Sequence, residues 1–280
     1  MQKHYEEKGY LHENFKIFYL EGMSEREIQY HYHSFDKIIF FFDGKVEYTI
    51  EGKSYDLLPN DIVMVPRGDS HKVKATSDYT RLVIYLSPDY IDDFTDGDFS
   101  LRSCLEQAEK QHVHVFRFKE KVEHQLVRLA LELRNVLREK DQNHFGNLYQ
   151  QTLLLQFLIG LNQKMENQSM HYVDTSNCHQ KIVEIIHYIN NHLTEDISID
   201  NLSEIFYISK YYMMRQFKAE TGYTIGNYLT QKRLFLAREY ITQGANVTEA
   251  CMNAGFRDYS TFSRAYKQLF SEPPSKLKIK

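Results

Sequence analysis

Residues 246–270 carry two short runs of apolar positions at helical spacing, separated by a tight turn. The first run predicts a helix that ends at Gly255, because glycine tolerates the left-handed backbone that often terminates a helix. Asp258 or Ser260 is placed to cap a second helix, whose buried side begins at Phe262. The opposite side of that helix is polar and has no core to enter, so we expect it to face solvent.

A second copy of this pattern lies earlier in the chain. Residues 215–218 (Arg-Gln-Phe-Lys) match residues 264–267 (Arg-Ala-Tyr-Lys) at an offset of 49, whereas Ile208 matches Phe256 at an offset of 48, so the second turn is one residue longer. A helix predicted over 224–242 joins the copies. Such helix pairs are typical of the helix-turn-helix, whose second helix can enter a DNA major groove. The joining helix spans about 27 Å, so the two second helices can reach successive major grooves about 34 Å apart.

Residues 181–278 resemble the DNA-binding domain of the AraC/XylS family of bacterial transcriptional regulators. The sequence departs from the family pattern at Ser271, where glycine is usual, and at Leu277-Lys278, where Tyr-Arg is usual. These departures affect only the last turn. The matching segments are Ile208-Ser209, Arg215-x-Phe217-Lys218, Thr221-Gly222, Tyr228-Leu229, the run from Arg233 to Ala237, Gly255-Phe256-x-Asp258-x-Ser260-x-Phe262-x-Arg264, and Pro274.

The resemblance implies that base contacts come from the exposed side of each second helix. Arginine can bind guanine through two hydrogen bonds, serine can bond either base edge, and tyrosine or methionine can contact a thymine methyl group. For Arg215 and Arg264, a structural ion pair with a carboxylate is the alternative. The predicted base-contacting residues are Lys210, Tyr211, Met214 and Arg215 in the first unit, and Tyr259, Ser260, Ser263 and Arg264 in the second. The residues predicted to contact phosphates, or to be plain solvated charges, are Lys218, Lys232, Arg233, Lys267 and Lys276.

Residues 1–90 contain short aromatic or β-branched runs separated by turns, a pattern that predicts strands. Asp43-Gly44 and Glu51-Gly52 are typical hairpin turns. Strands of this length and spacing favour an antiparallel sandwich or a small barrel. The predicted strands are Ile28–Tyr32, Lys37–Phe42, Lys45–Ile50, Lys53–Leu57, Asp61–Val65, His71–Ala75 and Thr80–Leu86.

The order of histidines and turns in this region resembles the cupin-like amino-terminal domain of the same family. The matching features are His31-x-His33, the Asp43-Gly44 turn, Pro59-Asn60-Asp61 (with Asn60 in place of the usual glycine), Pro66 and His71. The resemblance implies an α+β chain. An N-terminal cupin-like antiparallel β-barrel with a helical dimerisation segment would be followed by a C-terminal all-α domain with two helix-turn-helix motifs.

A barrel mouth lined by basic and aromatic side chains suits a small molecule that carries hydroxyl or carboxylate groups. The residues predicted to bind this effector are His33, Lys37, His71 and Arg81. Arg81 is included because the resemblance implies that its strand lines the effector pocket. A sugar or a sugar derivative fits these donors. The alternative for Lys37 and Arg81 is a strand position that points to solvent.

Metal-binding cupins use two histidines, a glutamate and a distant third histidine. His31, His33 and His71 are present, but Lys37 stands where the glutamate is expected, and its positive charge opposes a divalent ion. We therefore expect no metal and no cofactor. With no nucleophile and base in sequence context and no phosphate-binding glycine loop, we also expect no enzymatic activity. The alternatives are a metal-dependent cupin enzyme with an accessory DNA-binding domain, and a regulator without a small-molecule effector.

Helical periodicity follows the strand region. Residues 118–138 and 145–162 predict two long helices, which in the family pair with a second subunit; covering the barrel is the alternative. The polar segment that comes next has no periodicity and predicts a linker. The predicted organisation is an effector-sensing and dimerisation domain over 1–162, a linker over 163–178 and a DNA-binding domain over 179–280.

Charge is divided unevenly between the halves. Residues 179–280 contain 13 Lys and Arg and 10 Asp and Glu, a net charge of +3, although the whole chain carries −4. The basic excess therefore lies with the DNA motif.

Three cysteines, far apart in the sequence, together with the absence of a signal peptide or a membrane-length apolar run, favour the cytoplasm. The predicted partners are double-stranded DNA, a small-molecule effector, RNA polymerase and a second copy of the chain, with no membrane. The family resemblance favours activation over repression.

Overall fold

The computed structural model describes residues 11, 13–22, 27–92, 94–97, 99–119, 125–138, 146–175 and 177–277. Strands dominate its amino-terminal part and helices its carboxyl-terminal part, which confirms the predicted α+β class. The strands are β1 (Phe15–Leu20), β2 (Glu27–His31), β3 (Asp36–Asp43), β4 (Val46–Ile50), β5 (Lys53–Asp56), β6 (Ile62–Val65), β7 (His71–Ala75), β8 (Thr80–Leu86), β9 (Thr95–Asp96), β10 (Phe99–Ser100), β11 (Val115–Phe118), β12 (Met170–Tyr172) and β13 (Asn177–Cys178).

Two antiparallel sheets form the amino-terminal domain. One has the order β1-β8-β3-β6-β11-β12 and the other the order β13-β5-β4-β7-β2, with β9 and β10 as a separate small hairpin. Among the described residues the sheets pack as a cupin-like sandwich and do not close into one continuous barrel. Each of the seven predicted strands is present within about one residue of its predicted bounds, the usual uncertainty of strand and helix ends.

The six-stranded sheet is buried on both faces, so its strands read as nearly continuous apolar runs. Successive side chains of a strand point to opposite faces. Ile38 and Phe40 of β3 therefore join the core that lies under the helices, whereas Ile39 and Phe41 join the core between the two sheets. The space between the sheets holds the predicted effector residues.

Helices cover the outer face of this sheet. The predicted long helices are present, although Phe118 lies in β11, and residues 120–124 and 145 of the predicted segments lie outside the described part of the chain. Leu129 and Leu133 of the first and Phe157 and Leu161 of the second join the outer core. The helices of this domain are α1 (Pro88–Ile91), α2 (Ser103–Gln111), α3 (Gln125–Arg138) and α4 (Gly146–Glu166).

Residues 163–178 have more secondary structure than the sequence predicts for a linker. Helix α4 continues to Glu166, β12 pairs with β11, and β13 pairs with β5. Met170 is buried in the outer core. These short strands consist mainly of polar residues and are held by pairing with distant strands, so local sequence gives little sign of them.

Six α-helices and one 3-10 helix form the described carboxyl-terminal part, and they enclose two apolar cores. The first core is built around Met213 and Phe217, and the second around Phe262 and Tyr266. These elements are α5 (Gln180–Asn191), α6 (Ile199–Ile205), α7 (Lys210–Thr221), α8 (Ile225–Thr242), α9 (Val247–Asn253), α10 (Tyr259–Phe270) and the 3-10 helix Pro274–Lys276.

The two helix-turn-helix units differ at their turns, as the offsets in the sequence predict. Tyr207 adopts the left-handed conformation (φ 50°) in the first turn, and Gly255 adopts it (φ 86°) in the second. The side chain of Ser209 caps α7 and that of Asp258 caps α10. Arg257 is therefore the additional residue of the second turn.

In the described part of the chain, no helix combines the length and the apolar character needed to cross a lipid bilayer.

Candidate DNA-binding surface and effector site

Both second helices, α7 and α10, present their predicted base-contacting side chains to solvent. Tyr211 is 77% exposed, Met214 49% and Tyr259 40%. Ser263 is half-buried. The remaining members of the set, which are all exposed, are Lys210, Arg215, Ser260 and Arg264. Large aromatic and apolar side chains at this exposure have no role in the cores, which is the pattern expected of a contact surface.

In the described part of the chain, no carboxylate neutralises either arginine of this surface. Among the described residues, the Arg215 guanidinium lies 5.7 Å from the ring centre of Tyr212 and 6.0 Å from that of Tyr211. Arg264 Nε donates to the Ser260 carbonyl oxygen, 3.3 Å away on the same helix. No described carboxylate lies within ion-pair distance of either group. Both guanidinium groups are therefore available for hydrogen bonds to base edges.

The prediction of a phosphate contact is wrong for Lys232. Its ammonium group is 2.6 Å from Asp69 Oδ1 and 3.6 Å from Glu51 Oε1, and only 10% of its side chain is exposed. Arg233 is also engaged, because it donates to the carbonyl oxygens of Leu193 and Glu195 at 2.7 and 2.6 Å. In sequence both residues look like solvated helix charges. The partners of Lys232 come from the packing of the sandwich against α8, whereas those of Arg233 lie in the segment that follows α5.

Three of the four predicted effector residues meet at one end of the space between the sheets. Lys37 Nζ lies 3.3 Å from His71 Nε2, and the ring centres of His33 and His71 are 5.1 Å apart. His31, which pairs with His71 across β2 and β7, completes the cluster. These four residues, His31, His33, Lys37 and His71, are all at most 2% exposed, and we call them the histidine–lysine cluster.

Two histidines of this cluster, His33 and His71, are neutral near pH 7. Burial lowers the pKa of His33 and of His71 well below the usual range, and the neighbouring Lys37 lowers both pKa values further. A neutral imidazole offers one donor and one acceptor. Neither ring nitrogen of His33 has a hydrogen-bond partner among the described residues. The cluster therefore contains donors and acceptors that a hydroxyl or carboxylate could use.

Arg81 lies in the same interior but not in the cluster. It pairs with Phe41 across β3 and β8, whereas Lys37 pairs with Tyr85. Four residues along a strand correspond to about 13 Å. The Arg81 guanidinium stacks over the Tyr79 ring at 4.0 Å. The alternative that Lys37 and Arg81 point to solvent is wrong, since their residues are 1% and 4% exposed.

The three histidines also form a group with metal-ligand spacing. Ring nitrogens of His31, His33 and His71 lie within 4.8 Å of one another. The neutral rings of His33 and His71 carry the lone pairs that a divalent ion requires. Lys37 Nζ, however, lies beside His71 Nε2 and repels a divalent cation placed there. Among the described residues the group includes no carboxylate ligand.

Comparison with known protein families identifies both halves of the chain. A model described as a helix-turn-helix domain matches residues 202–279, and a model described as an AraC-like ligand binding domain matches residues 14–158, more than half of the sequence. The chain belongs to the AraC/XylS family of bacterial transcriptional regulators. It is a DNA-binding regulator and not an enzyme.

Relatives in the AraC/XylS family align along nearly the whole chain. The probable transcriptional regulator LumQ of Photobacterium leiognathi is 26% identical over 258 residues, covering 88% of this chain and 90% of LumQ. The HTH-type transcriptional activator RhaS of Escherichia coli is 25% identical over 250 residues, covering 87% of this chain and 85% of RhaS. Among solved structures, ToxT from Vibrio cholerae O395 aligns with 94% of this chain and 96% of its own at 13% identity, with a TM-score of 0.37.

Proposed function

We propose that this AraC/XylS-family regulator is a transcription activator whose amino-terminal domain binds a small hydroxylated or acidic effector, such as a sugar or a sugar derivative. The histidine–lysine cluster carries this proposal. It places the Lys37 side chain and the two ring nitrogens of His33, which have no hydrogen-bond partner among the described residues, in the buried space between the two sheets, where hydrogen bonds to a ligand are strong. The effector residues we propose are His33, Lys37 and His71.

The DNA-binding residues follow from the two exposed helix faces. We propose that Arg215 and Arg264 each bind a base edge, with Tyr211 and Tyr259 beside them. The other members of the proposed set are Lys210, Met214, Ser260 and Ser263. The domain boundaries proposed from sequence, 1–162 and 179–280, separate these two functions.

Activation is supported by the name of one relative, the E. coli transcriptional activator RhaS. An activator acts in the bacterial cytoplasm and contacts RNA polymerase. We therefore propose a cytoplasmic location and contact with RNA polymerase for this chain.

A second copy of the chain is the further proposed partner. Leu148 and Ile159 of α4 are 60% and 46% exposed. They are separated by eleven residues, about three turns, and therefore lie on one side of the helix. Burial of this apolar side against the same side of another copy would form a symmetric dimer.

A thermal-shift screen of the full chain against sugars and small organic acids tests the effector. Lys37→Met removes the charge and keeps most of the length of the side chain. Arg81→Met also replaces a charged side chain with methionine, about 13 Å away. We expect a ligand that raises the melting temperature of the wild type and of Arg81→Met but not of Lys37→Met. A ligand shift that survives Lys37→Met, or a panel with no shift at all, would contradict the proposed site; the second result favours a regulator without a small-molecule effector.

A further inference from the structure

The sandwich contacts both helix-turn-helix units through the loop between β6 and β7. In the first unit, Ser70 Oγ donates to the Thr221 carbonyl oxygen at 2.6 Å. In the second, Gly68 lies against the ring of Phe235, so closely that an added Cβ would be 2.9 Å from it. Phe235 in turn packs edge-on against Phe270 of α10, with ring centres 5.4 Å apart. One loop, residues 66–70 between β6 and β7, therefore touches both units.

A charged network joins the same loop to α8. Lys232 bridges two carboxylates of the sandwich, those of Asp69 and Glu51. The Tyr228 hydroxyl donates to Glu51 Oε2, and the Ser70 backbone amide donates to Glu51 Oε1 at 2.7 Å. Burial raises the pKa of Glu51, and the Lys232 ammonium opposes that rise. A buried network of this kind stabilises one arrangement only while all of its members are paired.

The loop also reaches the histidine–lysine cluster. His71 follows Ser70 directly, and His71 Nδ1 lies 3.1 Å from the Asp69 carbonyl oxygen. On its other side His71 Nε2 is 3.3 Å from Lys37 Nζ. A ligand that binds Lys37 and His71 must therefore displace or strengthen contacts that position Asp69 and Ser70. Three consecutive residues connect the interior of the sandwich to the DNA-binding domain.

The docked sandwich leaves the base-contacting faces uncovered. Tyr211, Arg215, Tyr259 and Arg264 are all exposed in this arrangement. Control of DNA binding by simple occlusion of these side chains is therefore inconsistent with the structure. The two units have separate cores and share α8, so their mutual orientation depends on what holds that helix.

We propose that Glu51, Asp69, Ser70, Tyr228 and Lys232 form an interdomain latch that fixes the relative orientation of the two helix-turn-helix units. A ligand in the histidine–lysine cluster acts on the latch through residues 69–71, and thereby sets which half-site spacing the protein binds. The role of the ligand rests on the proposed effector site, whereas the latch itself stands on the contacts between the domains. A ligand shifts the equilibrium between the formed and the broken latch only to the extent that it binds one of these two states more tightly.

The test compares the full-length wild type with Asp69→Asn, a variant in which Lys232 loses one of its two carboxylate partners. Asp56→Asn, at an exposed position of β5, is the matched control. Hydrogen exchange is measured in residues 66–71 and in α8. Binding is measured to duplexes whose two half-sites are separated by different spacings. For Asp69→Asn we expect exchange that is faster by about tenfold or more, the scale of losing a buried charged hydrogen bond, and a wider range of tolerated spacings. Asp56→Asn should behave as the wild type.

Two further variants keep the test decisive. Ser70→Ala removes only the hydrogen bond to Thr221 and replaces Asp69→Asn if that variant fails to fold. Lys37→Met perturbs the cluster without any ligand and should accelerate exchange in residues 66–71, whereas Lys45→Met on the sandwich surface should not. Wild-type exchange and spacing preference in Asp69→Asn and Ser70→Ala would overturn the latch while leaving DNA binding intact. A wild type that binds no duplex with two half-sites would overturn the proposed function as well.

Discussion

Four imidazole rings, those of His31, His33, His71 and His114, are almost completely buried in the amino-terminal domain. Burial disfavours the charged form of an imidazole, and it lowers the pKa of His33, His71 and His114. For His114 the pKa falls from the ordinary 6.5 to about 4, with burial as the largest cause, although the nearby Asp69 opposes it. His114 therefore binds a proton near pH 6.5 in the unfolded chain but only near pH 4 in the folded domain.

This difference in proton uptake predicts that acid destabilises the domain. Because the unfolded state binds more protons between pH 6.5 and about 4, the free energy of unfolding falls as the pH is lowered through that window. We expect His114 to contribute about 2 kcal/mol to the loss of stability between pH 7 and pH 5. Urea unfolding of His114→Gln should show a correspondingly smaller loss over this range than the wild type. The matched change at an exposed site, His171→Gln, should follow the wild type; equal pH dependence in all three proteins would contradict the assignment.

Single residues of the candidate site were predictable from the sequence when their position follows from nearby residues or from the order of the strands. The repeated arginines at 215 and 264 follow from helical spacing and from the matching segments around them. The cluster of His33, Lys37 and His71 follows from the order of strands. Asp69, Glu51 and Lys232 were not predictable as partners, because in sequence each looks like a solvated charge and their proximity depends on how two domains pack.

Helices of the DNA-binding domain begin and end where local chemistry specifies. Ser198, Ser209, Thr224, Asn246 and Asp258 each cap a helix by accepting a hydrogen bond from a backbone amide of its first turn. Caps and apolar periodicity are local signals, so this half of the fold was predictable almost element by element. Strands β12 and β13 were missed, because they are short and polar and depend on pairing with distant strands.

Two glycines with positive φ provide a matched test of element packing. Gly222 ends α7 at φ 79°, and a Cβ added there would lie 2.3 Å from Tyr30 Cβ in the sandwich. Gly244 follows α8 at φ 99°, and an added Cβ would meet no described residue within 4 Å. Alanine is strained at both positions, but only Gly222→Ala also forces the two domains apart.

We expect Gly244→Ala to lower the free energy of unfolding by about 1 kcal/mol. Gly222→Ala should cost about 2–4 kcal/mol, since overpacking adds to the same backbone strain. Thermal and urea unfolding of both variants, monitored by circular dichroism, measures the difference. Equal losses in the two variants would mean that the contact of α7 with Tyr30 is not maintained in solution.

The whole molecule is expected to act as a dimer through the exposed side of α4. Changing Leu148 and Ile159 together to glutamate places two negative charges on the side of α4 that contacts the same side of the other copy. The dimer should therefore dissociate. Sedimentation velocity should then report the mass of a monomer at concentrations where the wild type is dimeric. Leu58→Glu is the control, because Leu58 is 50% exposed outside α4. Dissociation in the control alone, or in neither variant, would argue against α4 as the interface.

Selection of bound duplexes from a random DNA pool by the full chain, followed by sequencing, tests the central claim most directly. The account predicts an enriched site with two half-sites whose centres are about one helical turn, or about 10.5 base pairs, apart. Arg264→Ala should weaken binding to that site by about 1–3 kcal/mol and relax the sequence preference at a base of one half-site, and Arg215→Ala should do so in the other. A bound pool with no enriched sequence, or an enriched site that neither substitution changes, would contradict the account.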